Sequence, residues 1–443
     1  MATTIAKTQT INKDRRVKSA GVGFFFLSAF YVVYCARPED WLTLLAVLPL
    51  AKITGVCAFL AFLVSAGRSK RKFKDLPVES HYLLALILTL VLSSLLSPVW
   101  PGGALSRTMD FAKVYVAWVL TFLLVTDLAK FRRIVFIQAA SVPVICLLSI
   151  IKGGDRPRLD GVLGGIYSNP NDLAFAIVLS LPFCLMFLLT AKGAFRKVLW
   201  AAGMLVMAKA LFMTASRGGF ITLVVAGGVC LWRFGVKGKR PALIVITGLV
   251  VAILFAVQGG TLKDRFASIW TDRSQLDTRE EARAQDSYEQ RQFLMQRAVE
   301  CIEHYPILGI GTRNFETYST VWREVHMTYL QITAEGGIVA LILYLMFFGK
   351  GFANLRRLLK RKDLGPEVDL FTGALYSSLV GFVVGALFSP EAYQFFPFFA
   401  VAYTSALYAY VQEGDKAKAA APAPVRQGAS PAYVRVDRVP LNT

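Results

Sequence analysis

The sequence predicts an all-α polytopic membrane protein of about 12 transmembrane helices, with one large, partly helical loop outside the membrane between helices 9 and 10. Three observations predict it. Of the 443 residues 55% are hydrophobic and the mean hydropathy is +0.51, against roughly 45–50% apolar residues in soluble domains. The apolar residues are gathered into runs near the roughly 20 that a helix needs to cross a bilayer. The basic residues, which give a net charge of +20, fall mainly in alternate gaps between those runs.

The runs lie at 19–36, 41–64, 81–97, 111–126, 134–151, 171–191, 197–214, 218–233, 241–258, 327–348, 370–389 and 393–412. Backbone polar groups in lipid must be satisfied within their own segment, so each run is expected to be a helix. With the N-terminus inside, the inner gaps are "KDRRVK", "GRSKRKFKD", "LAKFRR", "AKGAFRK", "RFGVKGKR", "LRRLLKRK" and the tail, and they hold most of the 49 Lys and Arg residues. This positive-inside bias places both termini in the cytoplasm and makes the charge a topology signal, with no nucleic-acid partner. The first run ends in "YCARPEDW" without a small-x-small cleavage pattern, and is expected to stay as an anchor. The cysteines are scattered, form no CxxC pair and read as small packing residues.

Three regions follow: an N-terminus at 1–18 in the cytoplasm, a membrane domain at 19–412 that includes the outside loop 259–326, and a cytoplasmic tail at 413–443 whose Ala and Pro content predicts disorder. The outside loop is much the longest connection, and long connections usually carry function. Within it "SYEQRQFLMQRAVECIEHYP" (287–306) has helical periodicity. Leu294, Met295, Ala298 and Ile302 share one face with Arg291 near its middle, and Arg297 and His304 are expected to point away. Pro306 ends the helix and "LGIGTRNF" makes a glycine-punctuated turn.

The outside face favours arginine. Its large loop holds Lys263 and eight arginines from Arg265 to Arg323, and the planar guanidinium suits bidentate contact with phosphate. The shorter outside stretches "KGGDRPRLDGVLGGIYSNPNDLA" (152–174) and "TASRGGF" (214–220) add Arg158 and Arg217. Arginines at helix ends often snorkel to ordinary lipid phosphates, but Arg217 and Arg291 lie against apolar surface, which favours a built anion site. His326, in "REVHMTYLQITAEGG" (323–337), stands where the loop enters the tenth run, and a histidine near its unperturbed pKa suits a general base. Glu335 falls at membrane depth, where a carboxylate needs a partner. The sequence has no Walker loop, no GxSxG, no HExxH, no Cys/His metal spacing and no DxD in an outside loop, so neither a cofactor nor a metal is expected.

Four stretches in order, "RLDGVLGGIYSNPNDLAFAIVLSLP", "TASRGGFITLVV", "RQFLMQRAVECIEHYPILGIGTRNF" and "HMTYLQITAEGGIVALILYL", resemble the O-antigen ligase/polymerase family of bacterial membrane glycosyltransferases. The resemblance implies a GT-C-like membrane fold in the bacterial inner membrane with its active site on the periplasmic face. It implies an inverting, metal-independent transfer of a glycan from undecaprenyl diphosphate to an acceptor hydroxyl. By the same resemblance Arg217, Arg291 and Arg158 bind the diphosphate, His326 orients or deprotonates the acceptor, and Arg323, Arg313 and Glu335 support them. The family commonly places Asn after this histidine, whereas here Met327 follows. The acceptor implied first is lipid A–core, as for a ligase; a second repeat unit (polymerase) and a protein hydroxyl (O-oligosaccharyltransferase) are the alternatives. A transporter would show paired mid-helix charges or breaks, of which the sequence offers Lys209 and a few prolines.

Overall fold

The computed structural model describes residues 21–65, 69–153, 158–161, 167, 169–258, 260 and 279–420. The N-terminal segment, most of "GVLGGIYS", loop residues 261–278 with Lys263, Arg265 and Arg273, and the tail from 421 lie outside the described residues.

Each of the twelve apolar runs falls on a helix. In chain order these are α1 (Gly21–Ala36), α2 (Leu50–Ser65), α3 (Val78–Leu95), α4 (Pro101–Leu124), α5 (Leu128–Gly153), α6 (Pro170–Thr190), α7 (Ala194–Thr214), α8 (Arg217–Val236), α9 (Pro241–Gln258), α10 (Arg279–His304), α11 (Thr328–Leu359), α12 (Pro366–Gly385) and α13 (Phe395–Ala420). Here α10 is the loop helix and the other twelve are the runs. Among the described residues, seven helices are long and apolar enough to cross a membrane: α3, α5, α6, α7, α8, α11 and α12. The run at 41–64 is helical only from Leu50, after short turns at Pro38–Trp41 and Thr43–Leu45.

α11 is the hub: it packs on α3, α10, α12 and α13, while α6 and α8 pack on α12 and α4 packs on α13. Large buried aromatics fill the centre. Phe348 meets Phe382 at 4.5 Å, Phe347 meets Phe398 at 5.4 Å, and Tyr31 meets Phe399 at 4.7 Å.

Two departures from expectation have physical causes. α13 runs to Ala420, past residue 412, where the sequence pattern ends the membrane domain. Ion pairs hold this extension: Glu413 accepts from the buried Arg71 at 2.6 Å and pairs with Lys70 at 2.5 Å, and Asp415 accepts from Arg361 Nη2 at 3.0 Å. The second departure is a break within α11. Gly337 has φ 74 and ψ −179, and a Cβ there would lie 1.9 Å from the carbonyl oxygen of Ile307, so only glycine fits. The break frees the carbonyls of Ala334 and Glu335, which accept from Ile310 N at 3.1 Å and Gly311 N at 2.9 Å, while Ile338 N donates to Pro306 O at 2.9 Å. The glycine turn after α10 therefore satisfies the broken helix, as irregular backbone at membrane depth requires.

Candidate functional site: a histidine between arginines at the start of α11

α10 reaches the bundle with Leu294, Ala298 and Cys301 buried against Ile310, Phe315, Val325 and Ala334. That stripe has the i, i+4, i+7 spacing of one helix face, and Arg291 stands on it one turn before Leu294, half-buried. Two side chains differ from expectation. Met295 is exposed, because the buried stripe runs through Cys301. Arg297 is turned inward: its guanidinium lies 5.0 Å from the Tyr318 ring and donates to Tyr318 O at 3.4 Å, its long stem covering apolar surface at the edge of the stripe. His304 is exposed, as the periodicity predicts.

His326 sits in the bend just before α11. The turn after α12 clamps this point. Thr328 N donates to Ala386 O at 2.8 Å, Thr328 Oγ1 donates to Ser389 O at 2.7 Å, and Glu391 N donates to Thr328 Oγ1 at 2.9 Å. Burial, and then the nearby charges of Arg291 and Arg323, hold the His326 imidazole down to about 4. It is therefore neutral at pH 7. Its Nδ1 is buried and has no hydrogen-bond partner among the described residues.

The same turn meets the start of α8. A Cβ on Gly218 would lie 2.6 Å from Phe388 Cβ, so the backbone beside Arg217 packs directly on the turn that holds Thr328. Ser216 caps α8, its Oγ accepting from Gly219 N at 3.1 Å, and its hydroxyl donates to Asn171 Oδ1 at 2.8 Å. Asn169 caps α6 by accepting from Asn171 N and Asp172 N, with Pro170 in the first turn, a favoured combination. Arg158 Nε donates to Thr214 O at 2.9 Å, which ties it to the end of α7 next to Arg217. Thus the turn at 386–391 joins three motifs: the Asn-Pro-Asn cap, the Ser-Arg-Gly-Gly start of α8, and the His-Met-Thr start of α11.

Arg313 and Glu335 belong to a second cluster. The Arg313 backbone is left-handed at φ 56, and its Nε lies 3.6 Å from Glu324 Oε1. Arg107 donates to Arg313 O and lies 4.0 Å from Glu316. Glu335 is fully buried beside Tyr393 and Arg313. Burial raises the Glu324 carboxyl well above the usual range against the opposing pull of Arg313, and burial next to Asp172 does the same for Glu391. The charges acting on His326 are those of Arg291 and Arg323, and neither Arg313 nor Glu335 is among them.

The periodicity of the sequence left Thr328, Glu324, Arg107 and Tyr393 unmarked. A signal for Arg107 exists in the Arg107, Asp110, Lys113 spacing at the edge of an apolar run. These three line a cavity of about 470 Å³ with Tyr34, Arg313 and Tyr393. Met327 is the N-cap residue of α11, extended at φ −153 and ψ 112, and makes no side-chain cap. An Asn at that position can cap the helix; here Thr328 anchors it instead.

Fold and site thus define an all-α polytopic membrane protein whose broken eleventh helix begins at a histidine flanked by arginines. The family model described as O-antigen ligase matches residues 202–345, a span that includes Arg217, Arg291, Arg313, Arg323, His326 and Glu335 and leaves out Arg158. The exopolysaccharide production protein ExoQ of Rhizobium meliloti is 25% identical over 307 residues, covering 63% of this chain and 65% of the relative. The chain is thus similar to O-antigen ligases over residues 202–345, and it spans less than two thirds of the length of the exopolysaccharide relative.

Proposed function

We propose that this protein transfers a glycan from a lipid diphosphate, undecaprenyl diphosphate in a bacterial inner membrane, to an acceptor hydroxyl on the periplasmic face. The observation that carries this reading is His326 at the start of a broken membrane helix, its buried Nδ1 without a partner among the described residues and the charges of Arg291 and Arg323 near enough to act on it. The half-helix Thr328–Gly336 points its N-terminal, dipole-positive end toward His326, an arrangement that favours anions. Arg291, Arg217 and Arg323 hold the diphosphate, and Arg158 steadies the end of α7 beside it. The acceptor oxygen attacks the anomeric carbon, and its proton passes to the His326 imidazole. The bond from that carbon to the diphosphate oxygen breaks, and the lipid diphosphate leaves with the electron pair. One displacement inverts the anomeric centre. Guanidinium groups neutralise the leaving diphosphate, so the scheme needs no metal.

The ligase reading, with lipid A–core as acceptor, follows from the description of the family. A polymerase reading, with a second lipid-linked repeat as acceptor, is favoured by the relative named for exopolysaccharide production. Reconstitution of the protein in liposomes with an undecaprenyl-diphosphate glycan, offering lipid A–core, a second lipid-linked glycan and a Ser/Thr peptide in turn, tests both. Product with one acceptor, lost in His326→Ala, supports the scheme. Product formed equally well by His326→Ala removes the histidine from the chemistry, and no product with any acceptor counts against glycan transfer.

A further inference from the structure

We infer that the groove between α5 and α7, at the end of the bundle opposite His326, is a binding site for one anionic glycerophospholipid. The end is fixed by topology. α4 begins beside Arg313 and the chain then turns into α5, while α6 begins at the Asn169 cap and turns into α7. The first turns of α5 and α7 therefore lie away from the arginine site.

The groove narrows from the first turns of the two helices toward Pro143 and Gly203. Pro143 of α5 faces Gly203 of α7, where an added Cβ would lie 3.4 Å from Pro143 Cβ. The two helices are therefore close at this point, with room for little more than a methyl group between them. Toward their first turns they are held apart by an interlocked aromatic floor. Phe187 stacks on Trp200 at 5.0 Å and 13°, and Phe136 meets both edge-on at 5.6 Å. The space left between them has a volume of about 1140 Å³, well beyond the small voids of a packed interior.

Polarity along the groove follows the order of a lipid. Arg132, Lys192 and Arg196 stand at its mouth, and from there inward the lining is apolar to Val144, Leu147 and Val206. Arg196 to Val206 spans about 15 Å of helix, half of a roughly 30 Å hydrocarbon core, which is the depth of one leaflet. Arg132 shares its charge with Glu367 at 2.5 Å. Among the described residues neither Lys192 nor Arg196 pairs with a carboxylate, and both are exposed. Two uncompensated cations above an apolar trench complement a phosphate ester on acyl chains, in the way that basic pockets between membrane helices take anionic lipid headgroups. An apolar helix of another protein would leave both charges unanswered.

The test uses the intact protein in nanodiscs of phosphatidylcholine with a minor fraction of phosphatidylglycerol, and counts by native mass spectrometry the lipid that stays bound on release. The expected result is selective retention of one phosphatidylglycerol. The double variant Lys192→Gln/Arg196→Gln should weaken retention about thirtyfold. Lys197→Gln, a neighbouring exposed cation outside the groove, should leave it unchanged. Ala140→Phe fills the trench without altering charge and should also abolish retention. Equal retention of both lipids, an effect of Lys197→Gln as large as that of the double variant, or indifference to Ala140→Phe would each overturn the site in favour of ordinary annular lipid. A protein cross-linking through Ala140→Cys in place of lipid would overturn it as well.

Discussion

Removing the Arg291 charge should change how readily His326 takes a proton. The imidazole is held down to about 4 by burial first, and then by Arg291 and Arg323, against an unperturbed value of about 6.5. Burial is the largest single cause and Arg291 the next, so Arg291 accounts for at most about half of a fall of about 2.5 pH units. Neutralising Arg291 alone should therefore raise the midpoint by up to about one pH unit. The sign is set by charge. A cation next to the imidazole disfavours imidazolium, and its loss favours protonation, so Arg291→Gln moves the titration upward. Carbon-13 labelling of histidine in a His81→Gln/His304→Gln background leaves His326 as the sole reporter, because the chain has three histidines. The expected midpoint is near 4 in that background and nearer 5 once Arg291→Gln is added. A wild-type midpoint at the ordinary histidine value, or one that ignores Arg291→Gln, would refute the electrostatic reasoning and with it the placement of Arg291 beside the proposed base.

Other outcomes follow from single contacts. His326→Ala should lower glycan transfer by about 10²–10⁴-fold while membrane accumulation, read by immunoblot, stays unchanged. Gly337→Ala places a side chain on a left-handed residue against Ile307 O; thermal unfolding in detergent should show a loss on the order of 1–3 kcal/mol. Met327→Asn supplies the missing cap of α11 and should add about 1 kcal/mol in the same assay, whereas a gain in turnover with no gain in stability would assign the amide a role in chemistry. Transfer by the reconstituted protein should persist in excess EDTA, and a requirement for added Mg²⁺ or Mn²⁺ would contradict leaving-group neutralisation by arginine alone.

The sequence made the helices legible because lipid imposes a single solution on long apolar runs, and all twelve runs fall on helices. It also marked Arg291, since helical periodicity puts that residue on the stripe that buries Leu294 and Ala298. The clamp on Thr328 was not legible. Its partners, Ala386, Ser389 and Glu391, lie beyond α11 and α12 in the chain, and no local pattern announces so distant a contact. The same holds for Arg313. In the sequence it is one more loop arginine, and the fold assigns it to Glu324 through a left-handed backbone that follows two glycine turns. Gly337 lay in plain view in "AEGG", yet whether it interrupts or merely lines a helix depends on Ile307 arriving against it.

The two roles proposed for the arginines reinforce each other. Without a bound anion, burial and the charges of Arg291 and Arg323 together make His326 a weak base. A bound diphosphate brings at least two negative charges to the same guanidinium groups and cancels the field that suppresses the imidazole, so the proposed base gains proton affinity when the donor arrives. The acid limb of kcat/KM, which reports the free enzyme, should then lie below the acid limb of kcat, which reports the donor complex. A histidine strengthened by its own substrate would draw a proton from the acceptor only when an anomeric carbon is in place to be attacked. On the proposed scheme the spacing of Arg291, Leu294 and Ala298 along α10 would matter to the chemistry, because the residues that bury the helix also place Arg291 where its charge reaches His326.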